Sequence, residues 1–310
     1  MRVLVMGSGG VGGYFGGLMA RAGHEVTFVA RGAHLAAILD RGLLVIDQGE
    51  RLPIEPTRAV ERPADIGVSP DLVLFTVKTY DTGPAAEAIK PIVAANTTVV
   101  PLQNGVDAVQ EIGAVVGPDR MLGGMTNIGA RIAEPGVVER FSPFAAVVIG
   151  EPRGGMSERV ETIAGAMKAA GIDVQATADI QRSLWEKLML LAPLAGLTSA
   201  TNLPSGKVRA AREGKALYLT MMREVMAVGR SSGVNLPDES YTSVEQFFLN
   251  LPDTHTTSMQ RDFEAQRRVE LEHLAGSVVR RGRAVEVPVP NFETVYALLR
   301  TKALSFGGVS

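Results

Sequence analysis

Three glycines near the start of the chain are spaced for phosphate chemistry. Gly7, Gly9 and Gly12 fit G-x-G-x-x-G, in which the first glycine permits a tight turn, the second lets backbone approach a pyrophosphate and the third allows close helix packing. A chain with 34 glycines produces such spacings by chance, so the surrounding elements have to decide. Farther along, Lys187 stands in Leu184-Trp185-Glu186-Lys187-Leu188, just before an unbroken hydrophobic run to Leu191. An ammonium group there either snorkels to solvent or is functional. In a cleft, desolvation would lower its pKa from ~10.4 toward the range of a general acid at neutral pH. Glu270 and Glu272 are the other candidates for proton chemistry, and spacing does not choose between them. Ser258 reads first as a helix cap.

The elements that must position these groups follow from periodicity. Arg2 to Met6 is a nearly continuous apolar run, as expected of a parallel strand buried on both faces. The glycines come next, then an amphipathic run from Tyr14 to Ala22, then a second strand from Glu25 to Ala30. This is a βαβ unit with an anion site at its helix N-terminus. Arg31 ends the second strand with no acid beside it, which favours a 2′-phosphate and hence NADP over NAD. Residues 32–70 are mixed, with short strands at 43–46 and 51–54 around a turn at Gly49. Leu72 to Val77 precedes Lys78, and Thr97 to Leu102 precedes Gln103-Asn104-Gly105. Four strand ends thus carry the glycine loop, Arg31, Lys78 and Asn104, where ligands of open α/β sheets bind.

Three strand-like pieces follow at 121–132, 137–141 and 145–150, then a helix from Ser157 to Ala170 and a strand from Ile172 to Thr177. From Ala178 the pattern is helical: 179–200, 206–232, 237–250, 257–281 and 291–305, with Ser258 opening the helix that carries Glu270. The expected class is α/β, a Rossmann-type doubly wound sheet followed by an all-helical second domain. Residues 1–178 form the NADP-binding Rossmann-like domain and 179–310 the helical substrate and catalytic domain.

Composition narrows the function. At 310 residues two domains are the default. A net charge of -2 and a pI near 6.1 give no electrostatic case for nucleic acid or an anionic membrane. The chain has no cysteine, which excludes thiolate chemistry and fits a reducing compartment. Four scattered histidines lack metal-ligand spacing, so no metal is expected. The N-terminal apolar run is too short for a signal peptide and no segment reaches the ~20 apolar residues of a spanning helix. A cytoplasmic enzyme acting on a small molecule is expected.

Taken in order, GSGGVGG at the start, Arg31, Lys78, QNG at 103–105, WEKL at 185–188, PSG at 204–206, and Ser258-Met259 with Asp262 followed by RRVELE at 267–272 resemble the ketopantoate reductase family over nearly the whole chain. The resemblance implies NADP(H)-dependent reduction of a 2-oxo acid to a 2-hydroxy acid, ketopantoate to pantoate in the family, within pantothenate biosynthesis. It implies Lys187 as proton donor and Glu270 as the glutamate that supports it and contacts the ligands. The cofactor is implied to meet Gly7, Ser8, Gly9, Gly10, Val11, Gly12, Arg31, Lys78, Asn104 and the backbone of Ile128. Asn104 and Ser258 are implied to hold the substrate. Four and eight residues after the lysine, the family pattern has asparagines where this chain has Leu191 and Ala195, and Ser205 likewise stands where asparagine is frequent. Positions four and eight share a helix face with Lys187, so a polar pocket wall becomes apolar. A more apolar oxo acid or an imine is therefore the alternative substrate, and a non-enzymatic NADP(H) redox sensor the alternative role. The expected partners are the small-molecule 2-oxo acid and, as one assembly state, a second copy in a homodimer; neither nucleic acid nor a membrane is expected.

Overall fold

The computed structural model describes residues 1–309. The chain folds as two compact units, residues 1–103 with 108–180, and residues 104–107 with 181–310. The first unit opens with β1 (Arg2–Met6), α1 (Gly10–Arg21), β2 (Glu25–Val29), α2 (Gly32–Arg41), β3 (Leu43–Asp47), β4 (Glu50–Ile54), β5 (Arg58–Val60), β6 (Leu72–Phe75), α3 (Thr82–Ile89) and β7 (Thr98–Pro101). It continues with α4 (Ala108–Val116), β8 (Gly123–Glu134), β9 (Val137–Gly150), α5 (Glu158–Ala169) and β10 (Asp173–Ala176).

Its parallel sheet has the order β5-β2-β1-β6-β7, so the winding reverses between β1 and β6. The apolar run of β1 is continuous because both faces are covered. Val3 and Val5 pack with Phe15 and Met19 of α1, while Leu4 and Met6 pack with Ala85 and Ile89 of α3 and Ile112 of α4. Burying each such side chain contributes roughly 1.5–3 kcal/mol. A second sheet, β10-β9-β3-β4 with β8 paired to β9, closes over the outer side of α1.

Two expectations for this unit are corrected. The pieces at 137–141 and 145–150 are one strand, β9, because a register shift between Ile128 and Ala130 of β8 absorbs Ser142-Pro143, with Gly129 N–H donating to Ser142 Oγ at 2.7 Å. The mixed stretch after Arg31 contains the helix α2, whose ten residues are too few for a clear periodic signal.

The second unit holds α6 (Ile180–Thr201, whose first residue belongs to the first unit), α7 (Ser205–Ala210), α8 (Arg212–Ser231), α9 (Asp238–Leu249), α10 (Ser258–Glu264), α11 (Ala275–Ala284) and α12 (Pro290–Leu304). Trp185 is buried, and Tyr218 of α8 stacks on Phe248 of α9 with centroids 3.6 Å apart. The expected helix 206–232 breaks at Ala211, which is extended at ψ 124° so that the Val208 carbonyl can settle against Gly214. The expected helix 257–281 breaks more widely. Gln266 turns left-handed at φ 51°, residues 267–270 are irregular, and α11 starts only at Ala275. Val269, Glu270 and Leu271 are all buried there, Leu271 opening a short 3-10 turn that runs to His273, and Val269 N–H donates to Gly308 O at 2.9 Å. Among the described residues no helix is long and apolar enough to cross a membrane.

Candidate functional site

In the first unit the loop between β1 and α1 is built by close backbone approach. A Cβ on Gly12 would lie 2.3 Å from Gly7 O, and Thr76 Oγ1, at the end of β6, donates to that same carbonyl at 2.7 Å. Only glycine fits there. Ser8 turns its hydroxyl inward, donating to Val29 O at 2.9 Å, so its backbone alone faces the loop. Gly9 caps α1, and a Cβ on it would meet nothing within 4 Å. That open space lies at a helix start with no acidic residue in the first turn, which leaves the N-terminal N–H groups and the helix dipole available to an anion. Gly10 packs under Ala130 of β8, Val11 lies against the core, and Ile128 sits half-buried at the β8 register shift.

Arg31 follows β2 and Lys78 follows β6, both exposed. Because β2, β1 and β6 are adjacent parallel strands, at ~4.8 Å spacing, the two cations flank the glycine loop at the carboxyl edge of the sheet. Arg31, a glycine cradle open at Gly9, and Lys78 fit a dinucleotide that carries extra phosphate charge.

In the second unit three of the expected residues come together. Lys187 lies half-buried on α6, and desolvation pushes its ammonium group down to about 8, with the Glu270 carboxylate opposing that fall. Glu270 is 5% exposed and its Oε2 accepts from Asn104 Nδ2 at 3.3 Å. Glu270 is therefore not on the helix opened by Ser258, nor a solvated charge; it sits in the irregular segment before Leu271. Glu272, the competing acid, accepts instead from Tyr296 Oη at 2.9 Å and from Arg280 Nη1 at 3.1 Å. Of the two acids, Glu270 is the one whose charge acts on Lys187.

Asn104 packs with the helical residues although it follows a strand of the first unit. Gly105, at φ 89°, has no room for a Cβ, which would fall 2.6 Å from His273 O. Arg281 grips Asp107 through two nitrogens at 2.6 and 2.9 Å and lies 5.9 Å over the Trp185 ring, two residues before Lys187. Sequence reasoning missed this clamp, since neither Asp107 nor Arg281 belongs to a recognisable spacing.

Ser258 is the first residue of α10, and the cap is its neighbour Thr257, whose Oγ1 accepts from Gln260 N–H at 3.2 Å. The Ser258 hydroxyl makes no hydrogen bond among the described residues. Leu191 is half-buried and Ala195 buried, one and two turns along α6 from Lys187. Ser205 is fully buried, its hydroxyl donating to Pro252 O at 3.0 Å and its N–H to His255 O at 2.9 Å. These two bonds fasten α7 to the loop at 252–255. No cluster of His, Asp or Glu among the described residues could hold a metal ion.

A family described as ketopantoate reductase PanE/ApbA matches residues 3–154, and its C-terminal counterpart matches residues 179–303. The 2-dehydropantoate 2-reductase of Mesorhizobium japonicum is 33% identical over 99% of both chains. The crystal structure of a PanE/ApbA family ketopantoate reductase from Ralstonia eutropha superposes with a TM-score of 0.91 at 32% identity, covering 99% of this chain and 100% of that one. A D-mandelate dehydrogenase superposes with a TM-score of 0.90 over 99% and 100% of the two chains, but at 20% identity this likeness concerns the fold alone.

Proposed function

The chain belongs to the ketopantoate reductase family, a family of oxidoreductases, and on that premise we propose that it reduces a 2-oxo acid to a 2-hydroxy acid with NADPH, residues 1–178 holding the dinucleotide and 179–310 the substrate. The observation that carries this reading is the Lys187, Glu270 and Asn104 cluster, a lysine poised near neutrality beside a buried carboxylate. When bound, the nicotinamide supplies the hydride. Lys187 donates a proton from Nζ to the carbonyl oxygen as charge develops there. Glu270 holds that ammonium group and the Asn104 amide in fixed relation, and Asn104 orients the substrate. The free hydroxyl of Ser258 receives the substrate carboxylate. Arg31 and Lys78 take the 2′-phosphate, while the N–H groups at the start of α1 take the pyrophosphate, with Ile128 backbone beside the cofactor.

Leu191 and Ala195 favour a second reading of the substrate. Leu191, half-buried, presents apolar surface on the face of α6 that bears Lys187, with the fully buried Ala195 one turn beyond it, and a site lacking polar partners does not reward a hydroxylated substrate. A more apolar 2-oxo acid, or an imine formed from one, then replaces ketopantoate. The test is NADPH oxidation by purified protein against a panel of 2-oxo acids that includes ketopantoate, with and without amines. Turnover of an oxo acid alone supports the reductase, and turnover that requires an amine supports imine reduction. Tight NADPH binding with no turnover in either series would replace the reductase by a redox sensor.

A further inference from the structure

The carbonyl of Ser8 is held by a residue that no motif includes. His34, in the first turn of α2, places Nε2 2.8 Å from Ser8 O, and its Nδ1 lies 3.0 Å from the N–H of Gly136 at the turn between β8 and β9. A backbone N–H can only donate, so Nδ1 carries no proton and Nε2 must donate to Ser8 O. Burial lowers the pKa of the imidazole from its ordinary value, which keeps it in this neutral form. The turn it grips is itself anchored: Gly136 O accepts from Leu44 N–H at 2.9 Å, and Pro135 O accepts from Arg41 Nη2 at 2.7 Å. On the other side, Ser8 N–H and Oγ both donate to Val29 O, at 3.0 and 2.9 Å.

The consequence concerns Gly9. The Ser8 carbonyl and the Gly9 N–H share one planar trans peptide and point in opposite directions. Fixing the carbonyl from one side therefore aims the N–H toward the other, beside the position where a Gly9 Cβ would meet nothing. We propose that His34 is a positioning residue for the dinucleotide: by bridging Ser8 O to Gly136 N–H it sets the Ser8–Gly9 peptide plane and presents the Gly9 N–H to the pyrophosphate. This rests on the glycine loop being the dinucleotide cradle, as proposed above.

Two substitutions separate the bonds. In His34→Gln the side-chain amide reaches as far as Nε2 and keeps the donation to Ser8 O; in His34→Asn it reaches only as far as Nδ1 and keeps the Gly136 contact. By calorimetric titration, NADPH affinity should fall about 10-fold in His34→Asn and stay within about 3-fold of wild type in His34→Gln, the net effect of one hydrogen bond. Melting temperature, to which both bonds contribute, should fall in both variants. Equal affinities in the two variants, or affinity that follows melting temperature, would overturn the role of His34 while leaving the cradle intact. Wild-type protein that binds no dinucleotide would overturn the cradle as well. Nitrogen NMR of the unsubstituted protein gives a check that requires no variant: the His34 ring should carry its proton on Nε2, and a proton on Nδ1 would refute the bridge.

Discussion

At the level of single residues the proposed chemistry turns on Lys187. A general acid must hold its proton to work, so kcat/KM for reduction should be flat at low pH and decline as pH rises through about 8, the value to which burial brings this lysine. Glu270 opposes that depression, so Glu270→Gln should move the alkaline limb of the kcat/KM profile to lower pH; a limb that moves upward or stays in place would contradict the pairing. Replacing Lys187 by Ala should cost roughly 10²-fold or more in kcat, in line with general acids elsewhere, while NADPH affinity stays near wild type by titration. On the same proposal Leu191 acts on choice rather than rate. Leu191→Asn should raise kcat/KM for hydroxylated oxo acids relative to aliphatic ones, and an unchanged ratio would remove it from the substrate wall.

Elements hold these groups through bonds that span long stretches of chain. The 104–107 segment is fixed by Gly105 against His273 and by the Asp107–Arg281 pair, with Arg281 lying over Trp185 on the helix of Lys187. Arg281→Leu should therefore lower kcat more than it alters NADPH affinity, and Arg281→Lys, which keeps the charge but not the planar fork, should recover only part of the loss. Elsewhere Glu224 of α8, 8% exposed, caps α12: its carboxylate accepts from the N–H groups of Asn291 and Phe292, both at 3.1 Å. Glu224→Ala strands two helix-terminal donors and should cost roughly 2 kcal/mol, measurable as a lower denaturant midpoint with the slope unchanged.

For the whole molecule, cofactor choice is the property to measure. Arg31→Ala should weaken NADPH more than NADH, and equal weakening would leave the 2′-phosphate without its assigned partner. NADPH at 100 times its Kd should raise the unfolding free energy by about 2.7 kcal/mol, in wild type and Lys187→Ala alike. The βαβ start, the glycine spacing, the cations at strand ends and the lysine on an apolar helix are all legible in the sequence, because each depends on local periodicity or on the conformational range of a single residue type. The folded chain alone decides that Glu270 and not Glu272 joins Asn104, that Asn104 sides with the helices, that Ser205 bonds the loop at Pro252, and that His34 bonds the carbonyl of Ser8. Those outcomes depend on contacts between residues as far apart as 166 positions, where many partners of equal chemistry compete and only packing, with the requirement that buried polar groups be satisfied, selects one.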